Sequence, residues 1–150
     1  MKVKNVMSKR VIKIKKGMTY QEVVKIFLKH KISGAPVVDE NDNLIGLISE
    51  KDLFRILYPF YQSYYEHPEW YTDFEAREDK ASEIKGHLVE SFMTKNVITG
   101  NPETPIMAAG ALMLARGIHR LPVVKDGKII GIVSREDIYR KILKKKIGKK

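Results

Sequence analysis

The sequence predicts an α/β protein made of two copies of one strand-helix-strand-strand-helix unit, packed as a pseudo-two-fold pair with a partly helical aromatic insert between them. Three observations predict it. First, the chain repeats itself: at a shift of 86 residues Met7-Ser8-Lys9 answers to Met93-Thr94-Lys95, Val11-Ile12 to Val97-Ile98, and Pro36-Val37-Val38 to Pro122-Val123-Val124. Second, the shift falls to 85 after one deletion, pairing LIGLISEKDLFR (44–55) with IIGIVSREDIYR (129–140). The missing residue falls where a turn is expected, and a length change confined to a turn marks two copies of one folded unit. Third, each copy changes hydrophobic period from helical to strand-like in the same order.

The elements follow in chain order. A short strand at Val11-Ile12 precedes a helix whose apolar face is Tyr20, Val23, Val24, Phe27 and Leu28, opened by a capping box of Thr19 and Glu22. Two strands come next, 35–39 and 44–48, and then a short helix beginning at Ser49. In the second copy Thr104-Pro105 supplies a cap and a first-turn proline, and Ile106, Ala109, Met113 and Leu114 form the buried face. Strands 121–125 and 128–133 follow, joined by Asp126-Gly127, a dipeptide suited to a two-residue hairpin, before a short helix beginning at Ser134. Each unit is too small to bury its helix face alone, so the copies are expected to pack together. The resulting division is residues 1–57, an insert over 58–87, residues 88–143, and a lysine-rich tail over 144–150.

The insert is acidic and aromatic. Residues 58–90 hold eight acidic and three basic side chains, so they carry −5 while the rest of the chain carries +15. Eight of the 13 aromatic residues lie here, at 58, 60, 61, 64, 65, 70, 71 and 74, a density unlike a flexible linker. A helix is expected from about 69 to 85. The segment reads either as a partner surface or as a wrap around its own units. The tail, KILKKKIGKK, reads either as a solvated helix end favourably placed on the helix dipole or as an attraction for polyanions.

Composition removes several chemistries. No stretch approaches the roughly 18 apolar residues of a membrane helix, and the basic N-terminus lacks the apolar run of a secretion signal, so a cytoplasmic protein without membrane insertion is expected. There is no cysteine, and His30, His67, His87 and His119 lack metal-ligand spacing, so no metal site is expected. No phosphate-binding glycine loop or nucleophile elbow is present either, so the chain reads as a binder without a catalytic cofactor rather than an enzyme.

Two motifs could carry binding. Ser49-x-x-Asp52 and Ser134-x-x-Asp137 can each be a capping box. The same geometry can serve a ligand, with the serine hydroxyl on phosphate or sugar and the carboxylate accepting from both ribose hydroxyls. Gly46 and Gly131, just upstream, allow close approach of backbone or ligand. KISGAPVV (31–38) and GIHRLPVV (117–124) each set an X-Pro ahead of a strand. Ser33-Gly34-Ala35 offers unencumbered backbone that could read an adenine edge. The other copy brings His119 and Arg120, which read either as a surface His and Arg favourably placed at a helix C-terminus or as a phosphate-facing pair, Arg120 being a fixed fork for phosphate oxygens. Two clefts of unequal phosphate affinity are expected.

ISGAPVV followed by GLISEKD, and IHRLPVV followed by GIVSRED, closely resemble tandem cystathionine-β-synthase-type (CBS) domains, the pair called a Bateman module. The resemblance covers about 1–57 and 88–143 and leaves the insert outside. It implies a stand-alone regulatory module, two units packed through their sheets around two clefts for AMP, ADP, ATP or S-adenosylmethionine. It assigns Asp52 and Asp137 to ribose hydroxyls, with Ser49 and Ser134 beside them. Ser33, Gly34, Ala35 and Pro36 would line one adenine pocket, and Leu121 and Pro122 the other. His119 and Arg120 would face phosphate, and Ile12 and Ile98 would wall the base. It further implies a homodimer of modules and a protein effector that reads the bound state. The second reading is a nucleic-acid-binding protein using the basic surface and lysine tail.

Overall fold

The computed structural model describes residues 1–58, 61–70 and 80–148, with backbone only at Lys80. The chain forms two compact units, one of Lys13–Glu40 with Ile45–Lys95, the other of Met1–Ile12, Asn41–Leu44 and Asn96–Lys150. These units are cut differently from the sequence repeats. Each repeat's core is completed by the segment that leads into the other repeat.

In the unit of the first repeat, β1 (Ile14–Lys15) runs parallel to β2 (Gly34–Val38), with Ile14 opposite Val37, and β3 (Leu44–Ser49) follows in the order β1-β2-β3. The strand expected at Val11-Ile12 thus lies further along the chain. Ile14 is fully buried there, its neighbour Lys15 exposed, the alternation a sheet edge requires. Helix α1 (Tyr20–His30) opens on Thr19, whose hydroxyl accepts from Glu22 N while the Glu22 carboxylate accepts from Thr19 N. It ends on Lys31 in the left-handed conformation. Tyr20, Val23 and Phe27 are buried with Ile14, Val37 and Ile48, whereas Leu28 is 74% exposed. Helix α2 (Glu50–Arg55) packs Leu53 inward, and the buried Tyr20 hydroxyl donates to the Leu53 carbonyl at 2.7 Å. Burial raises the Tyr20 pKa.

The segment before the second repeat closes this core. Val89 is fully buried in it, the His87 carbonyl accepts from Tyr20 N at 2.7 Å, and Val89 N donates to Met18 O at 2.8 Å. Tyr20 N is one of the amides at a helix start that no residue of its own helix can satisfy, which is the physical reason for the contact. Met93-Thr94 then lies against β3, where Thr94 and Leu47 exchange hydrogen bonds of 2.8 and 2.9 Å. Within the insert, α3 (Tyr61–Glu66), a 3-10 turn at Pro68–Trp70 and α4 (Lys80–Ile84) are formed. Most of the helix expected over 69–85 lies outside the described residues; of its aromatic neighbours Tyr58, Tyr61, Tyr64, Tyr65 and Trp70 are exposed, and Ile84 anchors the segment in the core.

The other unit repeats the plan. Helix α5 (Ile106–Arg116) ends on Gly117 in the left-handed conformation, the position equivalent to Lys31. β4 (Arg120–Lys125) and β5 (Lys128–Ser134) form an antiparallel pair turned by Asp126-Gly127, both at positive φ as a tight hairpin demands. Helix α6 (Arg135–Lys146) is 12 residues long rather than short and carries Lys144, Lys145 and Lys146 on its last turn. Two expectations are corrected. Thr104 does not cap α5: Pro105 occupies that place, and Ile106 N donates to the Met1 carbonyl at 3.0 Å, so backbone from the leading segment does the capping. Leu114, like Leu28 at the equivalent position, is exposed at 71% while Ile106, Ala109 and Met113 are buried with Val3, Leu121, Val123 and Val133.

Candidate functional site

The strand-to-helix junctions have the same backbone in both repeats. Ser49 and Ser134 are extended N-cap residues. Asp52 N donates to Ser49 Oγ at 3.2 Å, and Asp137 N to Ser134 Oγ at 3.0 Å. The carboxylates reply, Asp52 Oδ2 accepting from Ser49 N at 3.0 Å and Asp137 Oδ2 from Ser134 N at 2.8 Å. Capping is therefore shown for both motifs. The residue after each serine is tied to the residue just before β2 or β4: Glu50 N donates to Ser33 O at 2.9 Å, and Arg135 N to His119 O at 3.1 Å. That bond draws 33–36 towards Ser49, and 119–122 towards Ser134.

Gly46 and Gly131 admit protein rather than open space. A Cβ on Gly131 would stand 2.6 Å from Met7 Sδ and 3.0 Å from the Ser8 carbonyl oxygen; on Gly46 it would overlap Met93 Sδ and stand 3.0 Å from the Thr94 carbonyl. The missing side chain lets Ser8 exchange hydrogen bonds of 2.8 and 3.0 Å with Ile132. Ser8 thereby joins the second repeat's junction.

A cleft of about 410 Å³ opens there, lined by Ser8, His119, Arg120, Ile132, Ser134, Arg135, Glu136 and Asp137. Four of the residues read from the sequence, His119, Arg120, Ser134 and Asp137, meet in it. Leu121 is fully buried in the hydrophobic core and Pro122 is buried; Ile98 packs on the same core. In the first repeat Ser33, Gly34, Ser49 and Asp52 are half-buried and Ala35 and Pro36 buried. Ile12 is half-buried and falls in the compact unit of the second repeat.

The two junctions differ in what they leave unspent. Ser49 donates its hydroxyl proton to Asp52 Oδ2 at 3.0 Å, and Arg55 Nη1 stands 3.9 Å from Asp52 Oδ1. Among the described residues the Ser134 hydroxyl proton has no acceptor and Asp137 Oδ1 no donor. Arg140, the counterpart of Arg55, instead pairs with Glu136 at 3.2 Å. The second cleft thus presents a donor and an acceptor side by side, next to two arginines. Sequence reasoning missed Ser8, Ile132, Arg135 and Glu136. Ser8 was visible only as the repeat partner of Thr94, and Arg135 only as the basic residue where the first copy has Glu50.

The CBS domain family matches residues 3–59 and 89–144. The uncharacterised protein MJ1426 of Methanocaldococcus jannaschii is 33% identical over 156 residues, covering 95% of this chain and 92% of its own. Of solved structures, CBSX2 in complex with AMP is 28% identical at a TM-score of 0.74, covering 97% of this chain and 98% of its own; the same protein from Arabidopsis thaliana is also described as a CBS-pair protein. The CBS domain pair of protein MJ0100, in complex with 5′-methylthioadenosine and S-adenosyl-L-methionine, is 30% identical at a TM-score of 0.71, with 97% and 98% coverage. The chain spans 41% and 24% of the lengths of two further relatives, the uncharacterised protein MJ1225 of M. jannaschii and the homoserine O-acetyltransferase of Methanohalobium evestigatum. With both repeats matched and the same fold in solved CBS pairs, the chain belongs to the CBS domain family and carries two of its domains in tandem.

Proposed function

We propose that this chain is a regulatory module that binds an adenosine derivative, AMP, ADP, ATP or S-adenosylmethionine, and passes its occupancy to a protein effector. The observation that carries the reading is the second-repeat cleft, where an unspent hydroxyl and carboxylate oxygen stand beside His119 and Arg120. A vicinal diol can donate to Asp137 Oδ1, and the Arg120 fork suits phosphate oxygens. CBS pairs with AMP or S-adenosyl-L-methionine bound support the same ligand class. In the first repeat Ser33, Gly34, Ala35 and Pro36 supply the base-facing strand, and Ser49 and Asp52 the ribose end. Ile12 and Ile98, with Leu121 and Pro122, are the proposed apolar walls.

The role is binding rather than catalysis. Ligand favours whichever conformation or assembly it binds more tightly, and the difference in affinity sets the size of the response. Leu28 and Leu114 stand exposed at equivalent positions, and α5 and α6 enclose an apolar groove of about 450 Å³ lined by Met107, Leu114, Tyr139 and Leu143 among others. Such faces support pairing of two modules. A cytoplasmic setting, where adenine nucleotides are abundant, fits this reading.

Calorimetric titration of AMP, ATP, S-adenosylmethionine and a short DNA duplex into wild type, Asp52→Ala and Asp137→Ala tests it at two salt concentrations. Micromolar nucleotide binding, lost site by site, is the expected result. DNA binding with a steep salt dependence, indifferent to both substitutions and without nucleotide binding, would overturn it.

A further inference from the structure

The residue after the capping serine is glutamate in the first repeat, Glu50, and arginine in the second, Arg135. Arg135 is held at two points, by the last turn of α5 and by the residue after its cap: its Nη2 donates to the Met113 carbonyl at 3.4 Å, and its Nε–H to the Ile118 carbonyl at 2.7 Å. A guanidinium has five N–H donors, so three stay unspent. No carboxylate pairs with it among the described residues, since Glu136 is bound to Arg140 and Asp137 to the Ser134 amide. Arg135 lines the cleft that holds Ser134 and Asp137, and it also lines the groove between α5 and α6. It is therefore a half-buried cation, oriented from behind by carbonyl groups, with its remaining donors uncommitted.

We propose that Arg135 determines the ligand specificity of the second-repeat cleft by selecting adenosine derivatives that carry a phosphoryl group. The proposal rests on the reading of that cleft as an adenosine site. The two carbonyls fix the plane of the guanidinium before ligand arrives, so little rotamer entropy is lost when the free N–H groups meet phosphate oxygens. Glu50, at the equivalent place, would repel the same group. Preference for phosphate is thus a property of one cleft.

The test is calorimetry on the full chain in an Asp52→Ala background, with adenosine and AMP as separate probes. Arg135→Gln is expected to weaken AMP about tenfold, as loss of a charge-assisted hydrogen bond does, and to leave adenosine within about twofold. Arg135→Lys should recover part of the AMP affinity, because it restores the charge without the fork. Equal weakening of both probes, the mark of a merely structural role, would overturn the proposal, as would no change in either. Should the unsubstituted protein bind neither probe, the adenosine reading fails, and inorganic pyrophosphate then judges Arg135 by itself. Pyrophosphate binding lost in Arg135→Gln but kept in Glu50→Gln upholds the anion site; binding that is absent, or indifferent to Arg135, overturns it.

Discussion

Ser134 and Asp137 hold two jobs at once, and the atoms divide them. Ser134 Oγ accepts from Asp137 N and Asp137 Oδ2 from Ser134 N, which is the cap; the hydroxyl proton and Oδ1 are what a ligand could use. Ser134→Ala should therefore cost about 1 kcal/mol of stability in a denaturant melt, the usual value of a lost cap, whether or not ligand is present. Gly131→Val should cost more, about 1 to 3 kcal/mol, since the Met7 side chain can swing aside but the Ser8 carbonyl is held by its strand contact. Glu103 shows how a surface residue ties the leading segment down. It bonds Lys2 Nζ at 2.6 Å and Lys4 Nζ at 2.7 Å, and these hydrogen bonds lower its pKa from 4.5 to about 2. A depressed carboxyl stabilises the fold above its ordinary value and loses that contribution as pH falls from 4.5 to about 2. Carboxyl NMR should find Glu103 titrating in that window, and added salt should bring it nearer the ordinary value because the pair is exposed.

The leading segments are the elements on which each core depends. Val3 and Val89 occupy equivalent places, both fully buried, and each segment supplies a carbonyl to the first amide of a helix, Met1 to Ile106 and His87 to Tyr20. Val89→Ala should lower stability by about 2 kcal/mol, checked by the same melts, because its apolar surface is removed from water entirely. The capping boxes and the Asp126-Gly127 hairpin are legible from the sequence because each is decided within a few residues, whereas the left-handed helix ends at Lys31 and Gly117 appear only in the structure. The sequence points to a strand at Val11-Ile12 rather than Ile14–Lys15 because Val11-Ile12 and Ile14 are equally apolar, and only the register against Val37 distinguishes them.

Across the whole molecule, charge and exposed apolar surface set the terms of association. Leu114→Asp should shift the protein to a smaller species in sedimentation if the groove between α5 and α6 is where modules pair, with little change in melting temperature because the side chain is already 71% exposed. The lysines at the end of α6 complement its dipole and add to the chain's net +10.

By itself the sequence determined the repeat, the order of elements, the capped junctions and the residue types that mark two CBS domains, because hydrogen-bond and hydrophobic periods are local properties of a chain. Only the tertiary structure decided which segment completes which core, that Leu28 and Leu114 face outward, and that Ser8 and Arg135 stand at the cleft. The core-closing segments and Ser8 turn on partners far apart in the chain, such as Met1 with Ile106 and Ser8 with Ile132, while Arg135 is held by the Met113 and Ile118 carbonyls: a helix amide seeks any available carbonyl, and a strand beside a glycine admits whichever backbone comes closest.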